Sequence, residues 1–290
     1  MNIGIVGLGV MGSNHKRVYE KLGCNVTDIY DPFVFSDRPL KDFIEGCNRN
    51  QVEGISICNP SDQHVSTALV ILNALPEVYL LIEKPIALTV SKAQGLIPYK
   101  DRILVGHIEH FNRGVRKLRE WLDDNMLGEI FSIRTKRVNN IPSREPIKNV
   151  ATDLLVHDVE AVNSIMGRVP TFSKVIKQST NNNNVYDHAH AILQYDDVVC
   201  YCEANWISPV RERYLELYCT DGLVRLDYSK QIITFTDTQG NTTELLSNSE
   251  YEEPLMEELS YFINCIRNKR QPKVSVDTGI NVLEIVSEDI

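Results

Sequence analysis

The run Asn2-Ile3-Gly4-Ile5-Val6 passes without a break into Gly7-Leu8-Gly9-Val10-Met11-Gly12, and this junction restricts the fold more than any other stretch. A short β-branched strand leading into G-x-G-x-x-G, with a helix over about residues 13–22, is the pattern of a phosphate-binding turn. Gly7 allows a sharp exit from the strand. Gly9 lets a dinucleotide pyrophosphate approach the backbone, and Gly12 lets the helix pack closely on the strand. The pyrophosphate then lies on the unpaired N–H groups at the helix N-terminus, beside Val10 and Met11. A second apolar run, Val26-Thr27-Asp28-Ile29-Tyr30, ends at Asp31, roughly twenty residues after the motif. A carboxylate there accepts hydrogen bonds from both ribose hydroxyls and repels a 2′-phosphate, which favours NAD over NADP.

Strand and helix alternate as far as residue 105. Gly54-Ile55-Ser56-Ile57-Cys58 stops at Asn59-Pro60, and a helix is predicted over 64–74. The run from Val78 to Ile82 delivers Glu83-Lys84-Pro85, and Ile103-Leu104-Val105 precedes Gly106-His107. Such alternation calls for an α/β Rossmann domain, a parallel sheet with helices on both faces. Sheets of this kind bind ligands outside the C-terminal ends of their strands. The conspicuous residues all fall there: the glycines, Asp31, Asn59-Pro60 with His64, Glu83-Lys84-Pro85, and His107.

The texture changes near residue 115. Alternating runs, at 130–138, 171–178, 188–194, 198–206, 213–219, 223–227 and 232–236, predict strands, with Asp221-Gly222 and Gln239-Gly240 as hairpin turns. The second half therefore reads as α+β with a large, mostly antiparallel open sheet. We divide the chain into a dinucleotide-binding domain, 1–117, and a substrate-binding and oligomerisation domain, 118–290; 290 residues suffice for both. A net charge of −9 argues against a nucleic-acid surface, which needs a basic stripe. Seven cysteines without a C-x-x-C read as reduced core thiols, and no metal site is expected. No long apolar stretch stands out, so neither a signal peptide nor a membrane span is read, and a cytoplasmic location is expected.

With these residues placed, the sequence resembles the glucose–fructose oxidoreductase/inositol dehydrogenase (Gfo/Idh/MocA) family over nearly its whole length. The resemblance rests on the glycine motif, Asn59-Pro60 with His64, Glu83-Lys84-Pro85, and Asp153-x-x-x-His157. A narrower resemblance is to the UDP-N-acetylglucosamine 3-dehydrogenases. Its residues are Gly106-His107-x-Glu109-x-Phe111-Asn112, Lys136-Arg137-Val138, Pro142-Ser143-Arg144, Asp187-His188-Ala189, Asn205-Trp206-x-x-Pro209, Arg213-x-Leu215, and Asp227-Tyr228 with Gln231. His110 departs from that pattern, where those proteins usually carry Arg.

The resemblance implies an NAD-dependent dehydrogenase that oxidises a secondary hydroxyl, C3 of a UDP-sugar, to a ketone. It assigns catalysis to Lys84, Asp153 and His157, and the chemistry agrees. On a helix Asp153 and His157 stand at i and i+4 and share a face. An imidazole, ordinarily titrating near pH ~6.5, suits a general base, and an ammonium donates to a developing alkoxide. Asp158 is the more ordinary local partner of His157 and stands as second choice to Asp153. Cofactor contacts are expected from Gly7, Gly9, Val10, Met11, Gly12, Asp31, Asn59, Pro60, His64, Glu83, Lys84 and Pro85. Substrate contacts are expected from His107, Glu109, Asn112 and Trp206, with Arg144, Arg211 and Arg213 on an anionic diphosphate. Either Lys136 or Arg137 faces solvent. Expected partners are a second copy of the chain, as dimer or tetramer through the outer face of the open sheet, and an aminotransferase acting on the product. Two rivals remain: a dehydrogenase of free sugars or inositol, and a non-catalytic NAD-binding regulator.

Overall fold

Apolar runs too continuous for a one-sided sheet pair here as a parallel one. In this computed structural model, which describes residues 1–35, 38–140, 149–180, 185–247, 249 and 251–287, five strands make the first sheet. They are β1 (Asn2–Val6), β2 (Asn25–Tyr30), β3 (Gly54–Ile57), β4 (Tyr79–Glu83) and β5 (Ile103–Gly106), in the order β2-β1-β3-β4-β5. Every pairing is parallel. Strands β3, β4 and β5 are buried at every residue, as a sheet covered on both faces requires.

The helices α1 (Val10–Lys21), α2 (Leu40–Arg49), α3 (His64–Ala74) and α4 (Val90–Gln94) connect these strands. His15 and Tyr19 of α1 reach Ser56 of β3. A Cβ added to Gly4 would meet Phe43 and Cys47 of α2 on the other face. The strand order reverses between β1 and β3, and the glycine turn leaves β1 at that point, where doubly wound sheets bind their ligands.

The chain separates into two compact units, Met1–His107 with Leu255–Leu283, and Ile108–Pro254 with 284–290. The late return concerns α7 (Pro254–Arg267) and α8 (Val276–Ser287), which the sequence division had assigned to the second domain. A Cβ on Gly54 would meet Phe262 and Ile266, so α7 packs against β3 where that strand has no side chain. In α8, a Cβ on Gly279 would lie 3.2 Å from the side chains of Ile86 and Val105, so the helix approaches them closely there.

The second unit contains α5 (Arg113–Asp123), α6 (Val156–Met166) and a sheet of eight strands. The strands are β6 (Ile130–Asn140), β7 (Phe172–Gln178), β8 (His188–Tyr195), β9 (Val198–Asn205), β10 (Ile207–Cys219), β11 (Gly222–Asp227), β12 (Ile232–Asp237) and β13 (Thr242–Leu246). Their order is β13-β12-β11-β10-β6-β9-β8-β7, antiparallel except for β6 with β9. The short strand β13 extends the sequence reading, and β10 begins at Ile207, six residues earlier than expected.

One face of this sheet is covered: a Cβ on Gly114 of α5 would meet Leu226, and Asp158 of α6 holds Arg137 of β6. On the other face Phe172, Ile176, Ile192, Tyr201 and Tyr218 are exposed, alternating with buried Val175, Ala191, Leu193, Cys200 and Cys202. The seven cysteines are free thiols, and no helix of the described residues is long and apolar enough to cross a membrane.

Candidate active site

Crowding around the glycine turn explains its composition. Gly7 has φ +85°, and a Cβ there would lie 2.6 Å from the Asn59 nitrogen. Its N–H donates to the Tyr30 carbonyl at 2.7 Å, tying the turn to the end of β2. A Cβ on Gly12 would lie 1.8 Å from the Gly7 carbonyl oxygen, so no larger residue fits. At Gly9 the space is open for 4 Å, and no side chain caps α1 there. The first N–H groups of the helix thus keep their capacity to receive an anion. Asp31 is buried; Oδ2 accepts from Leu8 N at 2.6 Å, and Oδ1 from Phe33 N and Val34 N at 2.8 and 3.1 Å. The carboxylate therefore fixes the loop after β2 to the glycine turn, with acceptor capacity left on Oδ2.

Behind the strand ends lies a polar network that the sequence reading missed. His15 is fully buried, with Nδ1 3.1 Å from Ser56 Oγ and Nε2 2.9 Å from Glu83 Oε1. Tyr19 adds a 2.8 Å contact to Ser56. Burial alone would raise the Glu83 carboxyl, but the hydrogen bond and charge of His15 outweigh it and leave the group below the ordinary carboxylate range. Ligand atoms of His15, Cys58 and Glu83 lie within 4.8 Å of one another. Both ring nitrogens are already in hydrogen bonds and burial keeps the Cys58 thiol protonated, so the cluster serves as a brace. The signal in sequence was a histidine three residues after Gly12, facing inward on α1.

His64 also braces the unit. Its ring bridges two backbone carbonyls, Pro85 O and Asn59 O, both at 2.9 Å, and so links the ends of β3 and β4. Asn59 Nδ2 donates to Thr67 Oγ1 at 3.0 Å, and Pro60 is exposed. Lys84 is half-buried just past β4, joined to buried Pro85 by a cis peptide bond, and His107 is buried beyond β5.

In the second unit the helix carrying Asp153 and His157 opens differently from the sequence expectation. Ala151–Leu155 form a turn of π-helix before α6, anchored where Asn149 Oδ1 accepts from Ala151 N at 2.9 Å. Short π segments are uncommon and concentrate at functional sites. Asp153 is buried within this turn, and His157 follows it half-buried.

Asp158 is occupied elsewhere. Arg137 grips it with Nε on Oδ2 at 3.0 Å and Nη2 on Oδ1 at 3.2 Å, and gives Nη1 to Glu109 at 2.9 Å. Burial pushes the Asp158 carboxyl up, against the pull of the guanidinium. Of the two adjacent cations, Lys136 points to the open face and pairs with Glu212 at 2.6 Å, while Arg137 is 1% exposed. Asn112 donates to Glu109 Oε2 at 3.0 Å and to Tyr228 O at 3.1 Å, and its Oδ1 caps α5. Glu109 and Asn112, expected at substrate, thus have their side-chain groups in this buried cluster. Arg211 and Arg213 line a pocket of about 240 Å³ with Tyr228, and Trp206 is buried. Arg144 lies outside the described residues.

Residues 1–102 match the model of an oxidoreductase family with an NAD-binding Rossmann fold, and residues 115–225 match the model of the GFO/IDH/MocA C-terminal domain. The chain belongs to the GFO/IDH/MocA oxidoreductase family. Its first unit is accordingly an NAD-binding Rossmann domain, consistent with the glycine turn and Asp31. Inositol 2-dehydrogenase from Salmonella typhimurium is 20% identical over an alignment of 186 residues, gaps included, that covers 57% of this chain and 54% of that protein. The chain thus spans about half the length of the curated relatives it matches. Among solved structures, UDP-N-acetylglucosamine 3-dehydrogenase from Acidithiobacillus ferrooxidans superposes with a TM-score of 0.82 at 19% identity, covering 99% of this chain and 95% of that one. Aldose-aldose oxidoreductase from Caulobacter crescentus gives 0.84 at 16% identity, with coverages of 99% and 95%. At these identities the superpositions establish the fold.

Proposed function

We propose that this protein oxidises a secondary hydroxyl of a sugar, and that its substrate is a UDP-sugar, UDP-N-acetylglucosamine or a close relative, converted to the 3-keto sugar. One observation carries the reading. An NAD-binding Rossmann unit carries an amine, Lys84, just past a strand end, in a chain whose second unit has Asp153 in a π-turn and His157 in the first turn of the helix that follows. NAD supplies the hydride acceptor. His157 takes the hydroxyl proton, Lys84 donates a hydrogen bond to the developing alkoxide, and Asp153 orients the imidazole or the hydroxyl. The residue patterns shared with UDP-N-acetylglucosamine 3-dehydrogenases favour the nucleotide sugar. The matches to inositol 2-dehydrogenases favour a free polyol as second reading.

Purified protein with NAD should generate NADH absorbance with UDP-N-acetylglucosamine or another UDP-sugar and remain silent with inositol. Silence with every UDP-sugar, together with turnover of a free polyol, would replace the first reading by the second.

The uncovered sheet face suits self-association, because Phe172, Ile176, Ile192, Tyr201 and Tyr218 leave an apolar surface in water. Light scattering is expected to give a dimer or tetramer, and Tyr201→Glu to shift it toward monomer. A wild-type monomer at micromolar concentration would remove this assignment.

A further inference from the structure

Arg213 stands in a position that costs stability unless something compensates it. The β10/β6 register sets it directly opposite Arg137, and like charges facing across strands repel. Arg137 has its counter-charges, Asp158 and Glu109. Among the described residues neither Arg213 nor Arg211 forms an ion pair, and the buried Nε of Arg213 has no hydrogen-bond partner. Burial first, then the neighbouring guanidinium groups of Arg137 and Arg211, bring Arg213 down to about 10, against the opposite pull of Glu109 and Asp158.

Tyr228 completes the arrangement. Its N–H donates to the Arg213 carbonyl at 3.1 Å, so the two residues adjoin where β10 meets the end of β11. The ring is 3% exposed, lies under the Arg137 guanidinium at 4.8 Å, and its hydroxyl has no partner among the described residues. Burial keeps that phenol protonated, hence a donor. Arg211, Arg213 and Tyr228 line one pocket of about 240 Å³, beside Glu109 and Asn112, whose groups are already engaged. The pocket therefore offers donors and surplus positive charge. Its volume falls below the ~300–1,000 Å³ of sites that enclose a whole ligand, so it takes one end of a larger molecule.

We infer that Arg211, Arg213 and the Tyr228 hydroxyl form a phosphoryl-binding subsite that anchors the diphosphate of the substrate. Three donors on three separate arms can each meet a different oxygen of a tetrahedral phosphoryl group, whereas a carboxylate offers only two oxygens, both in one plane. The inference rests on the nucleotide-sugar reading. It adds that discrimination against free sugars resides here, with the anchor joined to His157 through Tyr228, Arg137 and Asp158.

The test is calorimetric titration of the holoenzyme, saturated with NAD so that the glycine turn is filled, with inorganic pyrophosphate, UDP and glucuronate. Pyrophosphate and UDP should bind, and glucuronate should not compete. Arg213→Gln and Tyr228→Phe should each weaken UDP about tenfold or more, as expected for hydrogen bonds to a charged group. Both should raise KM for the UDP-sugar with kcat within a few-fold. Arg213→Gln should melt no lower than wild type, since it removes a like-charge contact. Arg211→Gln, at an exposed position, provides a variant whose folding is not at stake and should also weaken UDP. Wild-type affinity in all three variants, with UDP-sugar turnover intact, would overturn the subsite and leave the function standing. Loss of UDP binding in the variants without oxidation of any UDP-sugar would uphold the subsite and overturn the function. Glucuronate binding as tightly as pyrophosphate would also overturn the phosphoryl assignment.

Discussion

Replacing Lys84 with methionine is expected to lower turnover by about 10²–10⁴-fold, the range of a positioned proton donor or acceptor, while NAD affinity changes far less. Methionine keeps a long apolar stem and removes only the ammonium, so the half-buried site past β4 stays filled. The lost interaction is one that strengthens as the hydroxyl becomes an alkoxide, so the loss falls on kcat rather than on KM. The neighbouring Glu83, held by His15 at 2.9 Å, keeps the strand end in place without the amine. Stopped-flow or steady-state NADH formation, with NAD binding followed separately by fluorescence, reads the two effects apart. His157→Asn should produce a similar loss, and the double variant little more, because groups that act on one proton transfer are not additive. Turnover by Lys84→Met within about threefold of wild type would take the amine out of the chemistry. Turnover absent in wild type, with NAD still bound, would favour the regulator.

Arg137→Met should destabilise the second unit by about 3–5 kcal/mol, the cost of leaving a buried charge without its partner. Two carboxylates depend on this guanidinium, and both are buried: Asp158 is 0% and Glu109 7% exposed. The loss should also depend on pH in a defined direction. In the wild type burial already raises the Asp158 carboxyl above 3.8. Without the guanidinium its folded-state pKa climbs further, so the folded state holds a proton that the unfolded state has released. Stability of the variant is then greatest below the unfolded value and falls as pH rises through the folded one. Urea midpoints for variant and wild type should differ less at pH 5 than at pH 8. Adding Asp158→Asn should recover part of the loss. Equal midpoints for Arg137→Met and wild type at pH 8 would mean that this cluster contributes nothing net.

Much of the architecture follows from local demands that a sequence states directly. The β1 run, the crowded glycines and the β2 run fix a strand–turn–helix–strand unit, because Gly7 and Gly12 occupy positions where any Cβ collides with backbone. Period-two alternation after residue 130 fixes an open sheet with one covered face. The same alternation put Lys136 and Arg137 on opposite faces but was silent about which lay inside, since both are cations. The inner one is decided by Asp158 and Glu109, which arrive from α6 and from the segment before α5. Likewise nothing near His15 names Glu83, 68 residues away, as its partner.

The sequence by itself determined the NAD-binding turn and the parallel and largely antiparallel halves, because backbone geometry and side-chain periodicity act within a few residues. Only the tertiary structure decided that α7 and α8 close the first unit, that β6 and β9 run parallel at the centre of the second sheet, and that Arg213 faces Arg137 across it. Those outcomes depend on strand register and on which buried charges meet. Register and charge pairing are settled by the whole core at once, through contacts between segments that no local pattern connects.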